Sequence, residues 1–280
     1  SMHLYLQMKS IVYTTQKILR DKKDRIIFMT QSNKFLIIMP CYNVAKWVKL
    51  NILTTMHQSY RDFRCIIIDD GSTDNTQEVV ESTIKGDDRF EYIRNKERTG
   101  SSLKNYYTAF HNAKPEENEI VVWLDGDDWF SSVFVLDYLN SVYNSKNCWM
   151  TYGTYQMYPS GQDGSHQCIE LPASVHDNHS YRSFPHIYSH LRTHRAFLFN
   201  KLEKEDLIDE RSGDFYNVAT DVAYLLPMVE LCGCKERIVR IPDILLILNR
   251  SNPNQASSNL EHQKNTEAII RSRKAKEKVQ

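Results

Sequence analysis

Phe35-Leu-Ile-Ile-Met39 is an unbroken apolar run stopped by Pro40, and Phe63-Arg-Cys-Ile-Ile-Ile68 is a second, nearly unbroken one stopped by Asp69. Runs without regular polar alternation predict strands buried on both faces, as in a parallel sheet. Between them, Ala45 to Ser59 is amphipathic and predicts a helix. Phe90-Glu-Tyr-Ile93 predicts a short third strand and Glu119 to Leu124 a fourth, with helices at Asn75 to Lys85 and Ser101 to Ala113. Asp74 and Gln77 stand at capping-box spacing ahead of the first of these helices. Four strands alternating with three helices predict parallel pairing, and the ligand crevice of such a sheet lies at the carboxyl ends of its strands.

The second half of the chain is less regular. Ser131 or Ser132 is placed to cap a helix with Val135, Leu139 and Val142 on one face. Trp149 to Tyr158 reads as a strand, and residues 159 to 180, rich in Pro, Gly, Ser, Asp and Asn, as a mobile loop. Phe184 to Leu202 predicts a helix. Val218, Val222, Leu225, Leu226 and Val229 form a helical stripe closed by Gly233, and Arg237 to Asn249 is strand-like but broken by Pro242. The polar first segment predicts a helix or hairpin outside the main fold, and the charged last twenty residues an exposed helix. The expected organisation is an extension over 1–34, a main domain over 35–255 and a helical tail over 256–280.

Composition narrows the function classes. With 280 residues and 41% hydrophobic content the chain has enough apolar material for a substantial core. Lys and Arg together number 35, as do Asp and Glu, so no net charge favours a polyanion and nucleic acid is not the expected partner. Six cysteines are scattered without CxxC spacing and predict reduced, structural thiols. No apolar run reaches the ~18 residues of a membrane span and the N-terminus lacks a signal-peptide core, so the expected location is cytoplasmic.

Chemistry concentrates at two acidic turns that follow predicted strands, Asp69-Asp-Gly-Ser-Thr-Asp74 and Asp125-Gly-Asp-Asp128. In a parallel sheet both fall at the same edge. Two carboxylates at a strand end suit a hard cation that keeps positions open for water and substrate phosphates. On an extended chain Asp125 and Asp127 share a face and Asp128 points away, which suits it to supporting the turn.

The pieces LIIMPCYN at 36 to 43, IIIDDGSTD at 66 to 74, Gly100 and Asn105 in RTGSSLKN, WLDGDDW at 123 to 129 and ATD at 219 to 221 resemble, in that order and spacing, glycosyltransferase family 2. The resemblance implies an α/β GT-A fold, Rossmann-like, with a mostly parallel central sheet flanked by helices and N- and C-terminal helical extensions. It implies an inverting transfer of sugar from a nucleotide diphosphate sugar, a UDP-sugar by default, with Mn2+ or Mg2+. The acceptor is left open among glycan, protein and lipid, as is an oligomeric state. By position, Pro40, Tyr42 and Asn43 would pack around the nucleotide, Asp70 would hold the base or ribose, and Arg98 would approach the nucleotide. Asp125 would lie by ribose and metal, Asp127 would bind the metal, and Asp221 would be the general base. The sequence departs from the family at Thr220, where a second carboxylate is frequent, and at Arg250-Ser-Asn252, where a His is frequent.

His186, His190 and His194 are four apart and would share one face of a helix. No Cys or fourth ligand accompanies them, so zinc is disfavoured. The resemblance instead implies that His190, Arg192, His194 and Arg195 line the acceptor or diphosphate side. Rival readings are a phosphohydrolase or phosphotransferase, which lacks the Thr and Val expected after an aspartyl nucleophile, a nucleotidyltransferase, which lacks a glycine-rich basic loop, and a non-catalytic binding protein on the same fold.

Overall fold

The computed structural model describes residues 32–253 and 260–280, and the extension expected over 1–34 lies almost entirely outside them. The apolar runs become the centre of an eight-stranded sheet. Its strands are β1 (Phe35–Cys41), β2 (Phe63–Asp69), β3 (Phe90–Arg94), β4 (Ile120–Trp123), β5 (Trp129–Phe130), β6 (Met150–Tyr158), β7 (Arg192–Arg195) and β10 (Ile238–Asn249), in the order β3-β2-β1-β4-β7-β6-β10-β5. The short pair β8 (Ile208–Asp209) and β9 (Asp214–Phe215) stands apart. β1 pairs in parallel with β2 and β4, and β2 with β3, as the alternating elements predict.

The absence of polar alternation has a direct cause. Leu36, Ile38, Ile66, Ile68, Val121 and Trp123 point into one core, against α3 (Ser102–Ala113) and α7 (Thr220–Cys232). Phe35, Ile37, Met39, Cys65, Ile67, Ile120 and Val122 point into the other, against α1 (Val48–Met56), α2 (Thr76–Ile84) and α4 (Val135–Lys146). Both faces are dry, and each such side chain adds roughly 1.5–3 kcal/mol of burial. The six cysteines are free, five of them buried.

Several expectations need correction. The stretch 184–202 is not one helix: β7 occupies its middle, antiparallel to both β4 and β6, and only α6 (Ala196–Asn200) is helical. The mixed His, Arg and apolar pattern is that of a strand crossing from the site to the opposite edge of the sheet. Residues 159–180 are not merely a loop, since they carry α5 (Ala173–Asp177) and bury Cys168, Leu171 and Val175. Neither Ser131 nor Ser132 caps α4; Ser131 Oγ donates to Ile244 O and Ser132 Oγ accepts from Phe134 N. Asp74 takes the amide and hydroxyl of Thr76, while Gln77 bonds to Glu81, so no capping box forms.

The tail is exposed only in part. Thr266 and Ile270 on α8 (Leu260–Ser272) are buried, and Val279 N donates to Leu231 O at the end of α7. Arg182 Nη2 donates to Glu230 Oε2 on α7 at 2.9 Å and Arg182 Nη1 to Ile270 O at 2.6 Å, which ties tail, insertion and α7 together. Among the described residues no helix is long and apolar enough to cross a membrane.

Candidate active site

A cavity of about 370 Å³ opens where β1, β2 and β4 end. Its wall takes Pro40, Cys41 and Tyr42 from the end of β1, Asp70 from the turn after β2, Asp125 to Asp127 from the turn after β4, and Asp221 from the first turn of α7. The two acidic turns therefore do meet. They meet because the central strands are parallel and stop in register, Cys41 facing Asp69. Gly126 is required by this approach: its N–H donates to Pro40 O at 3.0 Å, and a Cβ there would collide with Cys41 Sγ.

Asp70 is almost saturated by the protein. Its Oδ1 accepts from Asn95 Nδ2, Thr99 N and Thr99 Oγ1, and its Oδ2 from Gly100 N, all at 2.8–3.0 Å. Burial would raise its carboxyl, but these bonds outweigh it and hold Asp70 below the usual carboxylate range. Arg98 lies 3.8 Å above the Tyr42 ring, forming a flat cationic and aromatic surface beside it.

The second turn is electrostatically opposite. Asp125 Oδ1 accepts from Trp123 Nε1 at 2.8 Å, Asp127 Oδ2 from Asn252 Nδ2 at 2.7 Å, and Asp128 Oδ1 from Asn249 N at 2.8 Å. These donors do not offset burial. Burial raises the Asp125 carboxyl, pushes Asp127 up to about 6 and, with the neighbouring charges of Asp127 and Asp125, raises Asp128 further still. Asp125, Asp128 and His190 offer ligand atoms within 4.8 Å of one another. Burial and the Arg192 charge keep the His190 imidazole neutral, as a metal-binding ring must be. This donor set fits a divalent cation, and Asp127 shares its cavity.

Asp221 sits just after Ala219, whose φ of 50° is unusual for a residue with a Cβ. Its Oδ1 accepts from Val222 N at 2.9 Å, and its Oδ2 lies 3.2 Å from Arg192 Nη2 and 3.3 Å from His186 Nε2. Burial alone would raise the carboxyl, but the neighbouring His186 and Arg192 side chains hold it well below the usual range. Arg192 Nη2 also lies 2.9 Å from His190 Nε2, so His186, His190 and Arg192 all converge on this corner.

Of the residues singled out by sequence, Pro40, Tyr42, Asp70, Arg98, Asp125, Asp127, His190, Arg192 and Asp221 line the cavity. Asn43 does not; its Oδ1 accepts from Thr73 N at 2.8 Å and so shapes the turn after β2. His194 and Arg195 are corrections, because β7 is a strand and carries them to its far end. His194 is buried, with Nδ1 against Arg195 O at 2.9 Å and Nε2 against Tyr106 Oη at 2.8 Å. Arg195 bonds to Cys148 O and Asn118 O. Sequence reasoning missed His186 as a partner of Asp221, and gave no role to Arg250, Asn252 or Gln263, which also line the cavity. The departure at Asn252 was the one available signal.

The family model described as glycosyl transferase family 2 matches residues 36–199. The chain belongs to that family. An uncharacterized glycosyltransferase of Haemophilus influenzae is 31% identical over 121 residues, which is 42% of this chain and 46% of that protein. The GalNAc(5)-diNAcBac-PP-undecaprenol beta-1,3-glucosyltransferase of Campylobacter jejuni is 30% identical over 95 residues, 34% of this chain and 30% of that one. The matched part thus spans less than half of these curated glycosyltransferases. Among solved structures, S. aureus TarS 1-349 in complex with UDP-GlcNAc superposes with a TM-score of 0.60 at 16% identity, covering 85% of this family 2 chain and 65% of that one. The mannosyltransferase PcManGT from Pyrobaculum calidifontis, in complex with GDP-Man and Mn2+, gives 0.53 at 16% identity, covering 96% and 73%. At such identities the likeness shows the GT-A fold.

Proposed function

We propose that the protein is an inverting, metal-dependent glycosyltransferase that moves a sugar from a nucleotide diphosphate sugar to an acceptor hydroxyl. The observation that carries this reading is the meeting of Asp70, the Asp125–Asp128 turn and Asp221 in one cavity at the carboxyl edge of the sheet. Neighbours of the same fold hold UDP-GlcNAc and GDP-Man, and a UDP-sugar is the default donor here.

The nucleotide would lie against Tyr42, Arg98 and Asp70, whose Oδ2 accepts one protein hydrogen bond and can take another. Asp125 and Asp127 would hold Mn2+ or Mg2+, with Asp128 and His190 close by, and the cation offsets the negative charge that develops on the departing diphosphate. The acceptor oxygen attacks the anomeric carbon as the bond to the diphosphate breaks, and the electron pair leaves with the diphosphate. Asp221 takes the acceptor proton. Its low proton affinity keeps it ionised and ready across the physiological range, at the cost of basicity. Arg192 and His186 fix the direction of its Oδ2.

The test is to incubate the protein with UDP- and GDP-sugars and Mn2+ without acceptor, and to measure nucleoside diphosphate release. Slow, Mn2+-dependent release from one donor is expected. Release from none of them, or release of inorganic phosphate instead, would overturn the reading.

A further inference from the structure

Beyond Asp221 the cavity wall is made by Asn217 and Thr220, at the entry to α7, and by Gln263 on α8. Like Tyr42, Arg98 and Ser102 elsewhere on the wall, these side chains differ from the carboxylates of the site and their partners in one respect. Among the described residues none of the three has a hydrogen-bond partner, whereas Asp70, Asn105, Asp125, Asp127, Asn252, Arg192 and Asp221 are all tied to protein groups. Two amides and a hydroxyl therefore face the cavity with donors and acceptors uncommitted.

The chemistry of this wall selects a ligand class. Each amide offers two N–H donors and a carbonyl acceptor, and the hydroxyl does both. Sugar hydroxyls, which also donate and accept, match such a set. An acceptor carrying phosphate or carboxylate would call for an uncommitted Lys or Arg here; there is none between Asn217 and Asp221, and Arg192 and Arg250, which line the same cavity, are both engaged, Arg192 with Asp221, His190 and Tyr188 O. A lipid tail would call for a continuous apolar strip, but Val218 and Ala219 are the apolar residues the stretch contributes. All three polar residues also fall outside residues 36–199, the part matched by the family model, where a feature particular to this chain is free to vary.

Resting on the glycosyltransferase reading above, we propose that Asn217, Thr220 and Gln263 form the acceptor subsite and that the acceptor is an uncharged saccharide. Its reactive hydroxyl is presented to Asp221 while neighbouring hydroxyls are held by the two amides. Docking of α8 against α7 is what brings Gln263 to the wall, so the tail completes the subsite.

The experiment uses the full chain with Mn2+ and the donor found by acceptor-free release. Three probe classes are compared: p-nitrophenyl β-glycosides of glucose, galactose and N-acetylglucosamine; dodecyl phosphate; and a Ser/Thr-containing peptide. At least one glycoside is expected to accelerate nucleoside diphosphate release and to appear in a glycosylated product. For that glycoside, Asn217→Ala and Gln263→Ala should each raise the acceptor KM by about three- to tenfold, the worth of one or two lost hydrogen bonds, while the donor KM stays put. Gln263→Glu, which keeps shape and adds charge, should raise it as well. Acceleration by dodecyl phosphate or peptide and by no glycoside would overturn the proposal, as would no acceleration at all. An unchanged acceptor KM in all three variants, each checked by thermal melting, would overturn the residue assignment. Absence of acceptor-free release from any donor would instead strike at the glycosyltransferase reading.

Discussion

The two acidic turns look alike in sequence and behave oppositely in the fold. The turn after β2 is finished by the protein: Asp70 receives four hydrogen bonds from Asn95, Thr99 and Gly100 and is held below the usual carboxylate range. The turn after β4 buries Asp128 fully and Asp125 and Asp127 in part, against donors that do not offset the loss of water, and all three are raised. A buried charge that the chain leaves uncompensated is costly, and such sites are retained where a ligand completes them. The difference teaches which turn holds a shape and on which of the two the proposed cation site rests.

The largest effect is expected at the base. Asp221→Asn should lower transfer by roughly 10²- to 10⁴-fold with donor binding retained, because only the proton acceptor is lost. Equal transfer by variant and wild type would remove the base assignment. Next, Asp127→Asn should reduce Mn2+-dependent release by roughly 10²- to 10³-fold and weaken nucleoside diphosphate binding, since one carboxylate of the second turn no longer attracts the cation. If Asp70→Asn matched it in Mn2+ dependence, the division between the turns would be wrong.

Much of this was legible in the chain. Double-sided apolar runs predict the parallel part of the sheet, β1 to β4, and parallel strands bring turns 56 residues apart, at Asp69 and Asp125, to one edge. What was not legible depended on tertiary context. His186, His190 and His194 have helical spacing, but β7 finds two hydrogen-bonding neighbours in β4 and β6, and pairing overrides the local pattern. That choice keeps His190 and Arg192 at the site and sends His194 and Arg195 to the opposite edge. The tail reads as solvated because its charges outnumber its few apolar residues, yet Ile270 and the backbone carbonyls it meets suffice to dock it. Opposite charge behaviour in two similar turns is likewise invisible in sequence, because it depends on which distant amides arrive.

His194 supplies a third case, a buried group that stays neutral, and it sets the background for any pH scan of the turns. Burial pushes its imidazole down to about 4. Nδ1–H donates to Arg195 O, so Nε2 accepts from Tyr106 Oη and has no place for a proton. The folded pKa is depressed below the unfolded one. The unfolded state therefore binds more protons between about 6.5 and 4, so stability is full above about pH 6.5 and declines as pH falls through about 4. The loss reaches on the order of 3 kcal/mol at the acid end. His194→Gln, which can bridge the same two groups, should flatten this acid limb in denaturant titrations; an unaltered limb would show that His194 does not cause it.

The smallest effects test the comparison most directly, because they should differ in sign. Asp128→Asn keeps an oxygen for Asn249 N and removes a carboxyl that burial and its acidic neighbours penalise, so the metal-free protein should gain about 0.5–2 kcal/mol and melt higher. Asp70→Asn does the reverse. Its carboxylate accepts three bonds on Oδ1 and one on Oδ2, and an amide nitrogen in either place would confront N–H donors it cannot satisfy. A loss of about 1–3 kcal/mol is expected. Added Mn2+ should raise the melting temperature of the wild type and of Asp70→Asn, and less so that of Asp128→Asn, whose cluster is one charge poorer. Changes of the same sign in the two metal-free variants would mean that both turns are finished by the protein, and the cation would lose its electrostatic reason for being at the second.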